Sequence, residues 1–277
     1  MPYDIRIPWQ DEDITDLNVA NITVTISPTE EIPLDIFTLD ANYALTGFTT
    51  PNSANFMKAV TLPPNILTIP ASTSLFRNPT TSAGRSMTYI TTGPTVETID
   101  TSAFSDNSYT QCIVIESPVK TIGDSAFTNN SGLRQVIIEG GYLETIPNYC
   151  FYRDTALQEV IIGEGITTIE RDAFNGCTSL HTIKLPESLT ELGDNVFYSC
   201  QNLVTIDLPD NLTSIAANAF YNCSKLASID IPASVSSIAA NAFSGCSVLK
   251  EINIDAPEGS IPGAPWSATS ATINWKG

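Results

Sequence analysis

Four copies of one pattern, each about 23 residues long, follow one another without interruption over residues 166–254. Each copy has a phenylalanine, a cysteine three residues later, a leucine three residues further on, and then an aliphatic pair. The phenylalanines are Phe174, Phe197, Phe220 and Phe243, and the cysteines are Cys177, Cys200, Cys223 and Cys246. A unit this short cannot bury its own apolar side chains. The repeat therefore predicts a stack of similar turns that share one interior.

The segment that begins at each leucine predicts a β-strand. In the first copy Ile183 and Leu185 lie on one face of such a strand, while Thr182 and Lys184 lie on the other. We expect the strands of successive turns to pair in parallel into one sheet. The segment with phenylalanine and cysteine would form the opposite wall and fill the interior at every level.

This pattern resembles the leucine-rich repeat family, and most closely its BspA-like (Treponema pallidum-type) subclass. Residues 177–197 read C-T-S-L-H-T-I-K-L-P-E-S-L-T-E-L-G-D-N-V-F, and they depart from the subclass pattern only at Leu192 and Val196. The resemblance implies an α/β-type solenoid, a right-handed coil with one parallel β-sheet and an irregular N-terminal cap. It implies no particular ligand, because solenoids carry many binding surfaces.

Residues 1–55 do not follow the repeat. They are acidic and contain two strand-like runs, one at 22–26 and one at 34–39. We interpret this segment as a β-rich N-terminal cap, because the first turn would otherwise leave an apolar face in water. A small separate β-domain is the alternative.

The solenoid itself is expected to span residues 56–277. A loop rich in Thr, Ser, Pro and Gly interrupts its first part at 77–93. One residue is added to the repeat near Gly140-Gly141. Trp266 follows Phe243 by 23 residues, as a last, shortened copy of the repeat would require. The expected parts are degenerate repeats at 56–95, regular repeats at 96–254 and a C-terminal cap at 255–277.

Three earlier copies replace the cysteine with Asn107, Asn130 and Asp154. We expect these polar side chains to hydrogen-bond to the backbone of the next turn. The cysteines themselves point in parallel into the interior, whereas a disulfide needs two Cβ atoms that converge. All six cysteines are therefore expected to be buried free thiols.

The charge balance limits the possible partners. The chain has 12 basic and 30 acidic residues and a net charge of −18, which disfavours nucleic acid and anionic membrane surfaces. No run of 18 apolar residues is present for membrane insertion, and the first residues lack the pattern of a signal peptide. We expect a chain that is either not exported or trimmed.

Catalytic and metal-binding patterns are absent from the sequence. His181 lies four residues after Cys177, but this cysteine belongs to the repeat, so a Cys/His nucleophile is not expected. Asp207 and Asp230 would stack on adjacent turns, yet two carboxylates offer too few ligands for calcium, and Lys184 is the simpler neutralising partner. We expect no enzyme activity, no cofactor and no metal.

The outward face of the sheet gives the candidate partner site. One outward column contains, in order, Val114, Ile137, Ile161, Lys184, Asp207 and Asp230, and Glu159 lies in the neighbouring column. The first three would form an exposed apolar stripe, which usually marks a partner site or a surface that something covers. A protein or peptide partner is one occupant and the N-terminal segment folded back is another. Alternatively, these residues merely favour strands.

Two function classes remain open. The resemblance to BspA-like proteins implies a surface-exposed or secreted adhesion protein that binds a host extracellular-matrix or cell-surface protein. The alternative is a structural or spacer module of a larger surface or virion assembly.

Overall fold

The computed structural model describes residues 66–71 and 89–277 in full, and the backbone of three short strands at 37–39, 45–48 and 59–61. The strand-like run at 22–26 and most of the loop at 77–93 lie outside the described residues. The run at 34–39 contains β1 (Phe37–Leu39), which pairs antiparallel with β2 (Leu45–Phe48).

The sheet wall of the solenoid has one strand in each described turn except the turn at residues 204–208. Its strands are β3 (Ala59–Thr61), β5 (Tyr89–Thr91), β7 (Cys112–Ile115), β9 (Gln135–Ile138), β11 (Glu159–Ile162), β13 (Thr182–Lys184), β16 (Ser228–Ile231), β18 (Glu251–Ile254) and β19 (Thr272–Trp275). The strands from β3 to β13 form one parallel sheet, and β16, β18 and β19 form a second. Between them, residues 204–208 form no strand, although Ile206 is buried.

A second wall, the short-strand wall, adds parallel ladders beside the predicted sheet. Its two-residue strands are β4 (Thr68–Ile69), β6 (Thr98–Ile99), β8 (Thr121–Ile122), β10 (Thr145–Ile146), β12 (Thr168–Ile169), β14 (Glu191–Leu192), β15 (Ser214–Ile215) and β17 (Ser237–Ile238). In each strand the isoleucine or leucine points into the interior and is buried, while the preceding polar residue faces outward.

The strand register confirms the repeat length and the position of the added residue. Cys112 pairs with Gln135, which lies 23 positions further along the chain. Gln135 in turn pairs with Glu159, which lies 24 positions further along. The extra residue therefore lies between β9 and β10, where Gly140 and Gly141 both adopt positive φ angles of 82° and 101°.

The third wall, the turn wall, carries the phenylalanine column and contains turns; no α-helix occurs in the described part of the chain. This differs from the α/β-type coil that the resemblance implies. In most of these turns, two residues that lie four positions apart have positive φ angles, in the left-handed region of backbone conformation. Every second backbone N–H then donates to a carbonyl of the next turn, as the N–H of Phe151 does to the Ala173 carbonyl at 2.8 Å. In an α-helix the same N–H would donate to the carbonyl four residues earlier in the chain.

The interior is shared between turns, as the sequence predicts. Seven phenylalanine rings stack along the solenoid with centroid separations of 5.1–5.8 Å, and each ring is at most 1% exposed. All six cysteines are free and buried. The Cys177 thiol donates to the Phe151 carbonyl at 3.1 Å, and Cys200, Cys223 and Cys246 make equivalent bonds.

The polar residues of the cysteine column also bond between turns, but in the opposite direction to the one expected. The backbone N–H of Asn107 donates to Asn130 Oδ1 at 2.7 Å, and that of Asn130 donates to Asp154 Oδ1 at 2.6 Å. The side chains of Asn130 and Asp154 thus reach the preceding turn, whereas Asn107 Oδ1 accepts from the N–H groups of Tyr109 and Thr110 in its own turn. At the other end, the backbone N–H of Phe243 donates to the carbonyl of buried Trp266, so the ladder of the turn wall extends one turn beyond Phe243.

Candidate functional site

The predicted outward column exists on the sheet wall. The strand register aligns Val114 with Ile137, Ile137 with Ile161, and Ile161 with Lys184. Asp230 aligns with Asn253 in the second sheet. Parallel strands lie about 4.8 Å apart, so these side chains form a row with that spacing.

The expectation that Val114, Ile137 and Ile161 form an exposed stripe is wrong for the first two. Val114 is 8% exposed and Ile137 is 9% exposed, whereas Ile161 is half-buried. The outward-facing residues Tyr89 and Cys112 are also buried. The outward face at β5, β7 and β9 is therefore the packed end of the sheet wall, in contrast to the exposed residues further along it.

Burial at this packed end changes the ionisation of its groups. It raises the pKa of the Cys112 thiol to about 12, and the Glu159 charge adds to that effect. The pKa of Tyr89 rises because of burial first and then because of the nearby Cys112, Glu116 and Glu139. Both Tyr89 and Cys112 are neutral at physiological pH, so neither adds charge to the packed end of the sheet wall.

The other half of the sheet wall is open. Lys184, Asp207 and Asp230 are exposed, and Glu159 is half-buried at the boundary. Glu159 Oε2 accepts a hydrogen bond from Gln135 Nε2 at 2.7 Å, so this carboxylate is held in place by the neighbouring strand.

The outward column that contains Asp230 continues through Asn253 to Asn274 on the last strand. Asn274 Nδ2 donates to Asn253 Oδ1, and Asn253 Nδ2 donates to Asp230 Oδ1, both at 2.8 Å. Lys276 Nζ lies 3.7 Å from Asp230 Oδ1. The neutralising lysine is thus Lys276 on Asp230. Lys184 and Asp207 make no ion pair with any other residue that the structure describes, which leaves both charges available.

Neither a metal centre nor a Cys/His pair is assembled in the described residues. No group of three potential metal ligands occurs there, and Asp207 and Asp230 are two such ligands at most. Cys177 is fully buried and His181 is exposed, and burial raises the pKa of the Cys177 thiol well above its usual value. The two residues that the sequence places four apart therefore face different environments.

The turn wall carries a side-chain cluster that was not predicted from the sequence. Tyr149, Tyr152 and Arg153 lie there on one turn, with the Tyr149 and Tyr152 rings 5.5 Å apart. The available signal was the residue type, because a tyrosine and an arginine occupy positions that hold Ser, Asn, Asp or Gly in the other turns.

The comparisons with known proteins agree with this architecture. A family model described as the BspA type leucine rich repeat region, in six copies, matches residues 52–153 and 144–264. No curated protein matches the chain. Within the described residues there is also no helical segment of the length and hydrophobicity needed to traverse a bilayer.

Several solved structures are similar to this chain. A leucine-rich repeat protein from Eubacterium ventriosum is 25% identical with a TM-score of 0.57, over 66% of this chain and 47% of that one. The Treponema pallidum leucine-rich repeat protein is 22% identical with a TM-score of 0.47, over 89% and 100%. One from Bacteroides ovatus is 21% identical with a TM-score of 0.44, over 78% and 77%.

This chain spans under half the length of the Eubacterium protein. The family model, in contrast, extends over most of the present sequence and includes every regular turn from residue 96 onwards. The chain belongs to the BspA-type leucine-rich repeat family.

Proposed function

We propose that this chain is a non-enzymatic protein-binding scaffold that acts as a surface-exposed or secreted adhesion protein. Membership of the leucine-rich repeat family supports the scaffold role. The surface location and the adhesion role rest on what is typical of BspA-like proteins. The partner is a protein or peptide, such as a host extracellular-matrix or cell-surface protein.

The open half of the sheet wall supports this proposal most directly. Lys184 and Asp207 are opposite charges on adjacent turns, both exposed and both without an ion pair to another described residue. Asp230 follows one turn later and is fixed by Asn253. Regularly spaced charges of mixed sign on a rigid wall favour specific recognition, because a partner must present the complementary order of charges.

The net charge of the chain determines which partner would approach fastest. At −18, the protein attracts basic surfaces over distances of about a Debye length, roughly 8 Å at physiological salt. A basic protein partner would therefore associate quickly, and Lys184 would then fix the register by meeting one of its acidic groups.

The experiment is a charge exchange on the sheet wall. A double variant with Lys184→Glu and Asp207→Lys keeps the net charge but reverses the local order. We expect it to lose at least tenfold in affinity for immobilised fibronectin, laminin or collagen, whichever binds the unaltered protein. A matched double variant with Lys225→Glu and Glu191→Lys changes exposed residues on the other two walls and should bind normally.

Two results would count against the proposal. Equal binding by the sheet-wall variant and the unaltered protein would remove the sheet wall as the contact. If the unaltered protein binds none of the three matrix proteins, a structural or spacer module becomes the better description. Export is tested separately, by protease treatment of intact source cells, which should cleave an exposed protein.

A further inference from the structure

Two left-handed backbone positions of one turn carry unusually large side chains. Tyr149 has a φ of 57° and Arg153 a φ of 59°. The corresponding positions in the other turns hold short residues or glycine, namely Ser102, Asp106, Ser125, Asn129, Asp172, Gly176, Asn195, Ser199, Asn218, Asn222 and Gly245. Bulky side chains are strained in this region of φ, whereas Asn, Asp and Gly adopt it readily.

The backbone cannot relax this strain without losing bonds between turns. The N–H of Tyr149 donates to the Arg171 carbonyl at 3.1 Å, and the N–H of Arg153 donates to the Asn175 carbonyl at 2.8 Å. Because these bonds belong to the ladder of the turn wall, the two large side chains are held at the surface in fixed positions.

The side chains form one ordered cluster. The rings of Tyr149 and Tyr152 meet edge to face, at an angle of 85°, with centroids 5.5 Å apart. The guanidinium carbon of Arg153 lies 5.1 Å from the Tyr152 ring centroid. The following turn provides space for this arrangement, since a Cβ at Gly176 would approach Arg153 Cγ to 3.2 Å.

The cluster is accessible to solvent. Tyr149 is 38% exposed, and Arg153 is also exposed. The guanidinium of Arg153 makes no ion pair and no side-chain hydrogen bond with another described residue. Arg171 on the same wall differs, because its Nε lies 3.1 Å from Asp172 Oδ2.

We propose that Tyr149, Tyr152 and Arg153 form a second docking surface, for a protein segment that presents one carboxylate beside an aliphatic side chain. The planar guanidinium can bind a carboxylate through two parallel hydrogen bonds. The exposed part of Tyr149 offers a rigid apolar contact next to it. Tyrosine and arginine are the residue types that most often dominate binding energy at protein interfaces.

The net charge of the chain favours a protein segment with a single carboxylate over a polyanion as the partner. A sulfated glycan or a nucleic acid would be repelled by the net charge of −18 before it reached a single arginine. One carboxylate on an otherwise neutral or basic protein segment meets Arg153 at short range only. The site is on a different wall from the sheet-wall site, so the two could hold separate partners.

The test uses the double variant Tyr149→Asn and Arg153→Asn in the full chain. Both changes install a residue that suits the left-handed region, so the melting temperature is expected to rise by roughly 2–4 °C as strain is relieved. The probe is an array of ten-residue peptides with a central leucine followed by glutamate or aspartate, and matched peptides with glutamine or asparagine.

We expect the unaltered protein to bind acidic peptides at least tenfold better than their amide counterparts, and the double variant to lose this binding. The control variant Arg171→Asn removes an arginine that is already paired, and it should keep the binding. The sheet-wall variant with Lys184→Glu and Asp207→Lys should keep it too, which separates this site from the proposed adhesion surface.

Three outcomes would overturn the inference. The first is no retention of acidic peptides by the unaltered protein, and the second is equal retention of the amide peptides. The third is undiminished binding by the double variant. Preferential binding of a sulfated glycan would show that the partner is of a different class and would likewise contradict it.

Discussion

Replacing Asp154 with asparagine is expected to stabilise the protein at neutral pH. Asp154 is fully buried in the cysteine column, between turns whose equivalent positions hold Asn130 and Cys177. Its Oδ1 accepts the Asn130 N–H at 2.6 Å, but its Oδ2 has no hydrogen-bond partner among the described residues. Burial raises the pKa of this carboxyl well above its usual value, and the Asn130 N–H lowers it by a smaller amount.

Among the described residues, no basic side chain offsets the charge of Asp154. The titratable groups that interact with this part of the interior are the thiols of Cys150 and Cys177, and the carboxylate of Asp124, which acts on Cys150. Thiols with raised pKa values stay neutral, and a carboxylate would oppose a second negative charge. The folded state therefore favours the neutral acid at position 154.

The sign of the pH dependence follows from this raised pKa. An unfolded aspartate titrates near pH 3.9, so the contribution of Asp154 to stability is fully present below that pH and is lost as pH rises through the folded-state pKa. Holding the group protonated at pH 7 costs at most about 4 kcal/mol, from roughly three pH units at about 1.4 kcal/mol each. Asparagine avoids this cost and retains the accepting oxygen.

Asparagine can also donate from the atom that replaces Oδ2. Asn130 shows the geometry one turn earlier, where its Nδ2 donates to the Phe127 carbonyl. We expect Asp154→Asn to raise the free energy of unfolding by about 2–4 kcal/mol at pH 7 and by under about 1 kcal/mol at pH 4.

The assay is urea denaturation of both proteins between pH 4 and pH 8. The reverse change, Asn130→Asp, is the matched control and should destabilise the protein increasingly as pH rises. Asp172→Asn is a second control, because Asp172 is buried but already bonded to Arg171 and Asn175, so its replacement should be destabilising. A pH-independent difference between Asp154→Asn and the unaltered protein would show that the ionisation of Asp154 does not affect stability.

Three further predictions concern the interior. Phe174→Ala should lower the free energy of unfolding by about 3–5 kcal/mol in urea denaturation, because its ring packs between two neighbouring rings; a loss below about 1 kcal/mol would contradict the shared interior. Gly163→Ala should lower the melting temperature, since its Cβ would lie 2.1 Å from the Glu139 carbonyl oxygen; an unchanged melting temperature would contradict that contact. The thiols, including Cys246 with a pKa raised by burial to about 11, should resist maleimide at pH 8 until urea is added, and rapid native labelling would contradict their burial.

The repeat predicts those parts of the fold that depend on large apolar columns. Phenylalanine, cysteine and leucine recur at fixed spacing because each must cover the same residue of the next turn. The position of the extra residue near Gly140-Gly141 and the role of Trp266 follow from the same spacing. These features depend only on one turn and its neighbour, so the period of the sequence is enough to predict them.

The turn wall was predicted less well, although its signal is present. Short residues recur four positions apart, for example Asn195 with Ser199 and Asn218 with Asn222, and they adopt positive φ angles. That spacing also matches one turn of a helix, so it does not by itself exclude the α/β-type coil of many leucine-rich repeats. The left-handed preference of Asn is what distinguishes the two.

The burial of Val114 and Ile137 could not be derived from the repeat. Their outward direction follows from strand alternation, but their burial depends on what packs against that face of the sheet, where Tyr89 and Cys112 are buried as well. The open half was predicted correctly for Lys184 because a charged side chain with no partner is rarely buried.

Distance measurements between spin labels test the stacked arrangement most directly. One label replaces Gln135, and the second replaces Ser228, Glu251 or Thr272 in three separate proteins, all in one outward column. At about 4.8 Å per turn, we expect distances near 19, 24 and 29 Å, increasing by about 5 Å with each repeat. Distances that fail to increase by one constant step from repeat to repeat would contradict a parallel stack of turns with a common interior.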